Sequence, residues 1–431
     1  MGIKGLPKLI REITNGYAVR SYNFSKFHGM KVSVDMSLLI HQTVIAMRSN
    51  GKDMKNRKGE LTSHLYGILY KMLVFLQNGM TPICVFDGKA PDIKNKTVDI
   101  RRSKKDAAEK KLEDLDDSED EEYIKNFKQT FTPSKRDIQE AQILLDLMGI
   151  PYIVAPGEAD VVCSWLAARR DENGDRYVKG VCSDDSDMLA LGAPYLFKDM
   201  LKFMSKNKEV TIISLNKTLT KTGLTMRQFT DLCVLLGCDY CDNIKGIGPK
   251  TAYNKIKECG SLEEVIKMVH KKREGDSDSD NEQTFDLTEN DKCMIEARNY
   301  FYTALDKLDK SKDFILTDEQ LELRKFQYEE LMDFMCVKHD FDVMRIQTAL
   351  DRLKKYQEEM KITRENTKKV HKIIRPRNEN YVLRAQIGDI EFLSSDESDN
   401  ENVQPVSKKI ISKKNRNLGN LIRNSKYIDS E

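Results

Sequence analysis

Two hydrophobic rhythms alternate along the first 245 residues. Short β-branched runs, Lys31-Val-Ser-Val-Asp35, Pro82-Ile-Cys-Val-Phe-Asp87, Tyr152-Ile-Val-Ala-Pro-Gly-Glu158 and Tyr177-Val-Lys-Gly-Val-Cys-Ser-Asp184, read as buried strands that stop on an acid. Between them Leu61, Leu65, Ile68, Leu69, Met72 and Leu76 recur at helical spacing, predicting a core-facing helix over 61–78. A second helix is expected from Ser134 to Met148, its broad apolar face made of Ile138, Ala141, Ile143, Leu144, Leu145 and Leu147. A third follows from Glu158 to Arg169, with Val161, Val162, Trp165 and Leu166 inward. Strand and helix in alternation predict an α/β fold, a central mostly parallel sheet flanked by helices.

The pattern breaks at 93–132, where large apolar side chains are few and a basic stretch (Arg101, Arg102, Lys104, Lys105, Lys110, Lys111) gives way to an acidic one (Glu113 to Glu122). Such a segment cannot bury a core of its own, and we expect a helical lid over the site. The expected organisation is an N-terminal α/β region at 1–107, the lid at 93–132, and an internal region at 133–268 with a helix–hairpin–helix pattern at 225–260. Helices return to the body at 285–357 after the acidic linker Glu274 to Glu282, and a disordered charged tail covers 360–431.

Composition narrows the class further. The 431 residues are 39% hydrophobic and 32% charged, with no apolar run long enough to span a membrane. Net charge is only +2, but lysines and arginines gather at 101–111, 351–377 and 408–416, the local footprint that phosphate binding requires. The nine scattered cysteines form no disulfide framework, which fits a reducing, intracellular setting. Cys238-Asp-Tyr-Cys241 lacks the second pair a zinc site would need and reads as buried thiols.

Asp35, Asp87, Glu158, Asp160, Asp185, Asp187 and Asp239 form five clusters, several at strand ends or helix starts. In an open parallel sheet the carboxyl ends of the strands converge on one edge. Carboxylates so gathered repel unless cations neutralise them, and an all-oxygen set favours Mg²⁺, with Mn²⁺ as an alternative. Two such ions suit phosphodiester hydrolysis. Gly246-Ile-Gly248-Pro-Lys250, between two helical patterns, would let backbone N–H groups approach a phosphate while Lys250 adds charge.

Met1-Gly-Ile-Lys-Gly-Leu6, Val85-Phe-Asp-Gly88, Met148-Gly-Ile-Pro-Tyr152, Glu158-Ala-Asp160, Leu235-Leu-Gly-Cys-Asp-Tyr240, Gly246-Ile-Gly-Pro-Lys250 and Glu330-Leu-Met-Asp-Phe-Met335 occur in order. Together they resemble the flap endonuclease group of structure-specific 5′ nucleases from residue 1 to about 357. The resemblance implies a 5′ nuclease-like fold with a helical arch at 93–132 that passes a 5′ single strand. It implies that the seven acids hold two metal ions and that Lys94 and Arg101 contact the scissile phosphate. Gly2, His41, Arg48, Lys71, Gly246, Gly248 and Lys250 are expected to contact DNA, and a potassium ion would sit on backbone carbonyls of Asn243, Ile244 and Ile247.

Three positions depart from the pattern: Asp160 stands where Glu is usual, His41 where Tyr is common, and Gln386 to Leu393 only partly matches a sliding-clamp peptide because Asp389 replaces its aliphatic anchor. The implied activity is cleavage of 5′-flap and branched DNA, with 5′→3′ trimming, by a monomer acting in replication and repair, in the nucleus of a eukaryotic host. The alternatives are a DNA-junction binder without chemistry and a related 5′→3′ exonuclease or RNA-degrading nuclease.

Overall fold

The computed structural model describes residues 2–89, 91, 94–115, 120–202, 209–274 and 287–374. The acidic linker beyond Glu274, the clamp-like Gln386–Leu393 and the basic residues 408–416 lie outside them. Seven strands, β1 Val19–Asn23, β2 Lys31–Asp35, β3 Thr81–Phe86, β4 Tyr152–Val154, β5 Val181–Cys182, β6 Tyr195–Lys198 and β7 Glu209–Ser214, form one sheet in the order β1-β7-β6-β5-β2-β3-β4. The stretch β6-β5-β2-β3-β4 is parallel, while β7 runs antiparallel to both β6 and β1. All six residues of β3 are buried, as expected for a strand covered on both faces.

Helices α1 Leu6–Ile13, α2 Met36–Met47 and α3 Ser63–Gln77 belong to the N-terminal part. α4 Asn95–Glu113 and α5 Glu121–Gln129 pack on each other and occupy the stretch read as a lid. α6 Lys135–Leu147, α7 Ala159–Ala168 and the single turn α8 Asp187–Ala190 follow. Then come α9 Leu215–Thr222, α10 Met226–Leu235, α11 Pro249–Cys259, α12 Leu262–Glu274, α13 Glu289–Asp309, α14 Tyr328–Met332 and α15 Val343–Ile374.

The chain crosses from β2 to β3 on one side and later places β5 on the other, so strand order reverses at β2. In open α/β sheets the crevice outside such a reversal is where ligands bind. Asp35 ends β2 and caps α2 by accepting the Leu38 N–H at 3.0 Å.

The expected 61–78 helix is α3, and Leu65, Ile68, Leu69, Met72 and Leu76 are all buried. The face expected for the 134–148 helix is different in the structure. α6 buries Asp137, Glu140, Ala141, Leu144 and Leu145, whereas Ile143 is 41% exposed. Its apolar residues span so wide an arc that periodicity alone could not choose the orientation, and packing against α3 and α14 chose it. The tail boundary also moves: α15 continues past residue 360 to Ile374, over a stretch free of Gly and Pro, and Pro376 follows. Composition overlooked this helical propensity.

Helices α2 and α3 approach closely because α3 carries Gly67, where a Cβ would lie 1.7 Å from Thr43 Cγ2. An exposed helical Gly→Ala change gains about 1 kcal/mol. Here overpacking, at roughly 1–3 kcal/mol, should win. Gly67→Ala is expected to lower the midpoint of thermal unfolding; a higher midpoint would refute the close approach.

Candidate active site

The carboxyl edge of the sheet gathers the acids, most of which lie just past a strand end or at the helix start that follows it. Asp87 follows β3 and accepts the Ala159 N–H at 2.8 Å and the Ser37 hydroxyl at 2.5 Å, tying β3 to the starts of α7 and α2. Glu158 is the N-cap of α7 in extended backbone, and Asp160 lies in that helix's first turn. The change from extended to helical backbone is what lets an i, i+2 pair share a pocket. Asp185 and Asp187 form a second i, i+2 pair: Asp187 opens α8, and its N–H donates to Asp185 Oδ1 at 2.9 Å. Asp184, immediately before them, faces elsewhere, accepting from Gln42 Nε2 at 2.7 Å and from the Asp199 N–H at 2.9 Å. Asp239 arrives from the loop after α10, and Arg101 of α4 donates to its carboxylate.

Burial and mutual repulsion dominate the electrostatics. Asp35 is pushed up to about 7, chiefly by burial, with Asp87 and Asp185 adding to the rise against the Leu38 N–H and Lys94. Burial also raises Asp160, aided by Asp35 and Asp185. It raises Asp187, aided by Asp185, and Asp185, where the Asp187 N–H opposes the rise. Glu158 goes the other way. Burial disfavours its charge, but Lys94 and the hydroxyls of Tyr240 and Tyr300, each 2.7 Å from Oε2, hold it below the usual carboxylate range. Lys94 caps α4 and donates to Glu158, with Asp239 at 3.9 Å. Burial opposes its charge, yet these acids and Asp160 hold its pKa above the ordinary lysine value.

The residues fit divalent cations. Asp187 Oδ1 is buried without a hydrogen-bond partner, and the carboxylates of Asp185 and Asp239 stand near it, oxygen donors of the kind Mg²⁺ takes. Asp35, Asp87, Glu158, Asp160, Asp185, Asp187 and Asp239 are the groups that would hold them.

Gly2 lies against this edge. Its φ is +79°, and a Cβ there would sit 2.0 Å from Asp185 Oδ1, so only glycine passes. The Lys4 N–H donates to Gly237 O at 3.2 Å, joining the N-terminus to the α10–α11 loop. In that loop a Cβ on Gly246 or Gly248 would meet nothing within 4 Å, leaving the backbone open to a ligand. Exposed Lys250 pairs with Glu12 at 3.2 Å. Ile244 and Ile247 bury their side chains, and Ile244 O accepts the Ile247 N–H at 3.1 Å. Asn243 is exposed.

His41 on α2 is half-buried, its ring 6.0 Å from that of Phe131. Burial, with Arg101 and Arg48 nearby, pushes its pKa down, so the ring is neutral at neutral pH.

Two expected DNA contacts are spoken for internally. Arg48 is buried, bonded to Asp53 at 2.7 Å, Phe127 O at 2.8 Å and Thr130 Oγ1 at 3.1 Å, with its guanidinium 4.2 Å from the centre of the Phe127 ring. It anchors α5. Lys71 is buried and donates to Met200 O at 3.1 Å and Lys202 O at 2.8 Å, and burial pulls its pKa down to about 8. A cluster of cations in sequence cannot show which of them a fold consumes. Conversely, sequence reading missed Tyr240 and Tyr300 as the clamp on Glu158. Tyr240 directly follows Asp239, but nothing near Tyr300 in sequence marks it.

Residues 1–108 match the XPG N-terminal domain and residues 149–239 the XPG I-region. Flap endonuclease 1 of Vanderwaltozyma polyspora is 37% identical over 358 residues, covering 82% of this chain and 88% of the relative. The solved flap endonuclease-1 from Methanococcus jannaschii aligns with a TM-score of 0.55 at 28% identity, over 79% of this chain and 97% of that one. The Holliday junction-resolving enzyme GEN1, solved with product DNA and Mg²⁺, shares the fold at a TM-score of 0.51 and 17% identity, over 82% of this chain and 78% of that one. With an ordered acid crevice and this extent of identity, the chain belongs to the flap endonuclease family.

Proposed function

We propose that this protein is a structure-specific 5′ nuclease that hydrolyses 5′-flap and branched DNA near the junction of single and double strand. The observation that carries the reading is the convergence of seven acids on the strand-order reversal, with Lys94 and Arg101 reaching them from the base of a two-helix insertion. Two Mg²⁺ ions, or Mn²⁺, would supply charge neutralisation and water activation there. The protein's own residues do the rest. Lys94 and Arg101 bring positive charge to the crevice mouth, where negative charge on a transferring phosphate needs balancing. Glu158 stays ionised because Lys94 and two tyrosine hydroxyls hold it so.

Duplex DNA is read as resting on the 243–250 hairpin, through its open glycine backbone and Lys250. A potassium ion on the carbonyls of Asn243, Ile244 and Ile247 would strengthen that grip. The 5′ strand would pass under α4 and α5 with His41 stacking beside the cut, and exonucleolytic trimming follows from the same site. The protein is proposed to act as a monomer at sites of DNA replication and repair, the nucleus in a eukaryotic host, with Gln386–Leu393 as a sliding-clamp contact. No helix among the described residues is long and apolar enough to cross a membrane.

Incubation with a 5′-flap duplex and Mg²⁺ is expected to release the flap; intact substrate despite measured binding would sink the proposal. Asp187→Ala should cut cleavage by at least ~100-fold, since loss of an outer-sphere partner alone costs 10–100-fold. DNA affinity should be unchanged or tighter, because a negative charge is gone. Turnover near wild type would refute the ligand assignment.

The raised acids give a pH prediction. Folded, metal-free protein retains protons on Asp35, Asp160, Asp185 and Asp187 that the unfolded chain has released by about pH 5. These groups therefore destabilise the fold as pH rises towards 7, and Mg²⁺ must displace their protons. The increase in melting temperature caused by Mg²⁺ over EDTA should grow from pH 5.5 to pH 8. His41 and His339, lowered by burial, push stability the opposite way. A pH-independent Mg²⁺ effect would count against the buried-acid account.

A further inference from the structure

A second group of metal-binding side chains lies outside the acid crevice. His64 is the second residue of α3, and Asp137, in the first turn of α6, shares one helix face with Glu140 in the next turn. All three are buried, His64 completely, and one ligand atom from each lies within 4.8 Å of the others. His64 Nε2 is 3.5 Å from Glu140 Oε2, yet neither ring nitrogen of His64 makes a hydrogen bond. His339, 2% exposed, repeats the anomaly: both of its nitrogens lack a partner, with Nε2 3.8 Å from Glu140 Oε1.

Leaving a buried polar atom unsatisfied costs roughly 1–3 kcal/mol, and two such imidazoles beside two carboxylates demand a physical reason. The acids have local partners of their own. Arg136 donates to Glu140 Oε1 at 2.9 Å, and the Ser134 N–H donates to Asp137 Oδ2 at 2.7 Å.

We infer that His64, Asp137 and Glu140 bind a structural Zn²⁺ ion, with His339 the nearest candidate for a fourth ligand. A mixed nitrogen and oxygen set suits zinc, whereas Mg²⁺ prefers oxygen alone and keeps several waters. Two carboxylates balance the ion's charge in a site shielded from water. Zn–ligand bonds of about 2.0–2.2 Å place tetrahedral ligand atoms roughly 3.4 Å apart, so the side chains need only draw in from their present spacing.

Bound zinc would pin the start of α3 to the start of α6, just beyond the insertion's second helix, and reach the turn that precedes α15.

The test uses full-length protein equilibrated with Zn²⁺ and then dialysed against Mg²⁺ buffer without zinc. Elemental analysis should find one zinc per chain, and Co²⁺ in its place should give the intense visible absorption of a tetrahedral site. His64→Gln and Glu140→Gln should weaken zinc binding by at least ~100-fold, while Asp187→Ala keeps it. Three results would overturn the inference: no retained zinc, a weak octahedral Co²⁺ spectrum, or zinc kept by His64→Gln and lost by Asp187→Ala. The Co²⁺ spectrum of the unaltered protein decides the matter even where a variant fails to fold.

Discussion

Repulsion among carboxylates withdrawn from water is the constraint around which this molecule is arranged. Removing an acid from water disfavours its charge, and a second acid nearby disfavours it further. Asp35, Asp160, Asp185 and Asp187 all feel both effects, and their pKa values rise accordingly. A fold selected for stability alone would not assemble them. The sheet tolerates the group because the acids sit at strand ends and helix starts, where backbone N–H groups of Leu38, Ala159 and Asp187 are available as donors.

Long-range contacts decide how the residual charge is handled. Tyr240 and Tyr300 come from opposite sides of a 60-residue gap yet share one oxygen of Glu158. Lys94 and Arg101 come from the insertion and neutralise Glu158 and Asp239. The insertion is therefore bound to the crevice at its first helix by charge. Its second helix is held by the Arg48 anchor, through Asp53 and the end of α5. Divalent cations or a phosphate would compete directly with the first contact and leave the second alone. The insertion is thus joined to the acid crevice by charge at one foot and held by hydrogen bonds and packing on Arg48 at the other.

The α6 interface shows the same economy of polar placement away from the crevice. Turning Asp137 and Glu140 inward, and Ile143 outward, forgoes some apolar burial in exchange for a cluster with His64 and His339. That exchange makes sense where the polar groups have a common partner to satisfy them.

Much of this was legible in the chain itself. β-branched runs ending on acids specify buried parallel strands and their order of use, because strand burial and the carboxyl-edge rule act locally. The acids at Asp35, Asp87, Glu158, Asp185 and Asp187 could be named for that reason, and Gly246-Ile-Gly248 for its open backbone. The antiparallel pairing of β1 with β7, the orientation of α6 and the reach of α15 depend on neighbours that periodicity does not identify. Arg48 and Lys71 look like any surface cation in sequence, and only the fold shows that Asp53, Phe127 and the carbonyls of Met200 and Lys202 consume them. The sequence by itself determined which groups are able to carry the proposed chemistry, since ligand type is a property of the side chain. Which of them share a charge, a proton or a partner was decided only in three dimensions, because Coulomb energy and desolvation depend on separation in space and on burial.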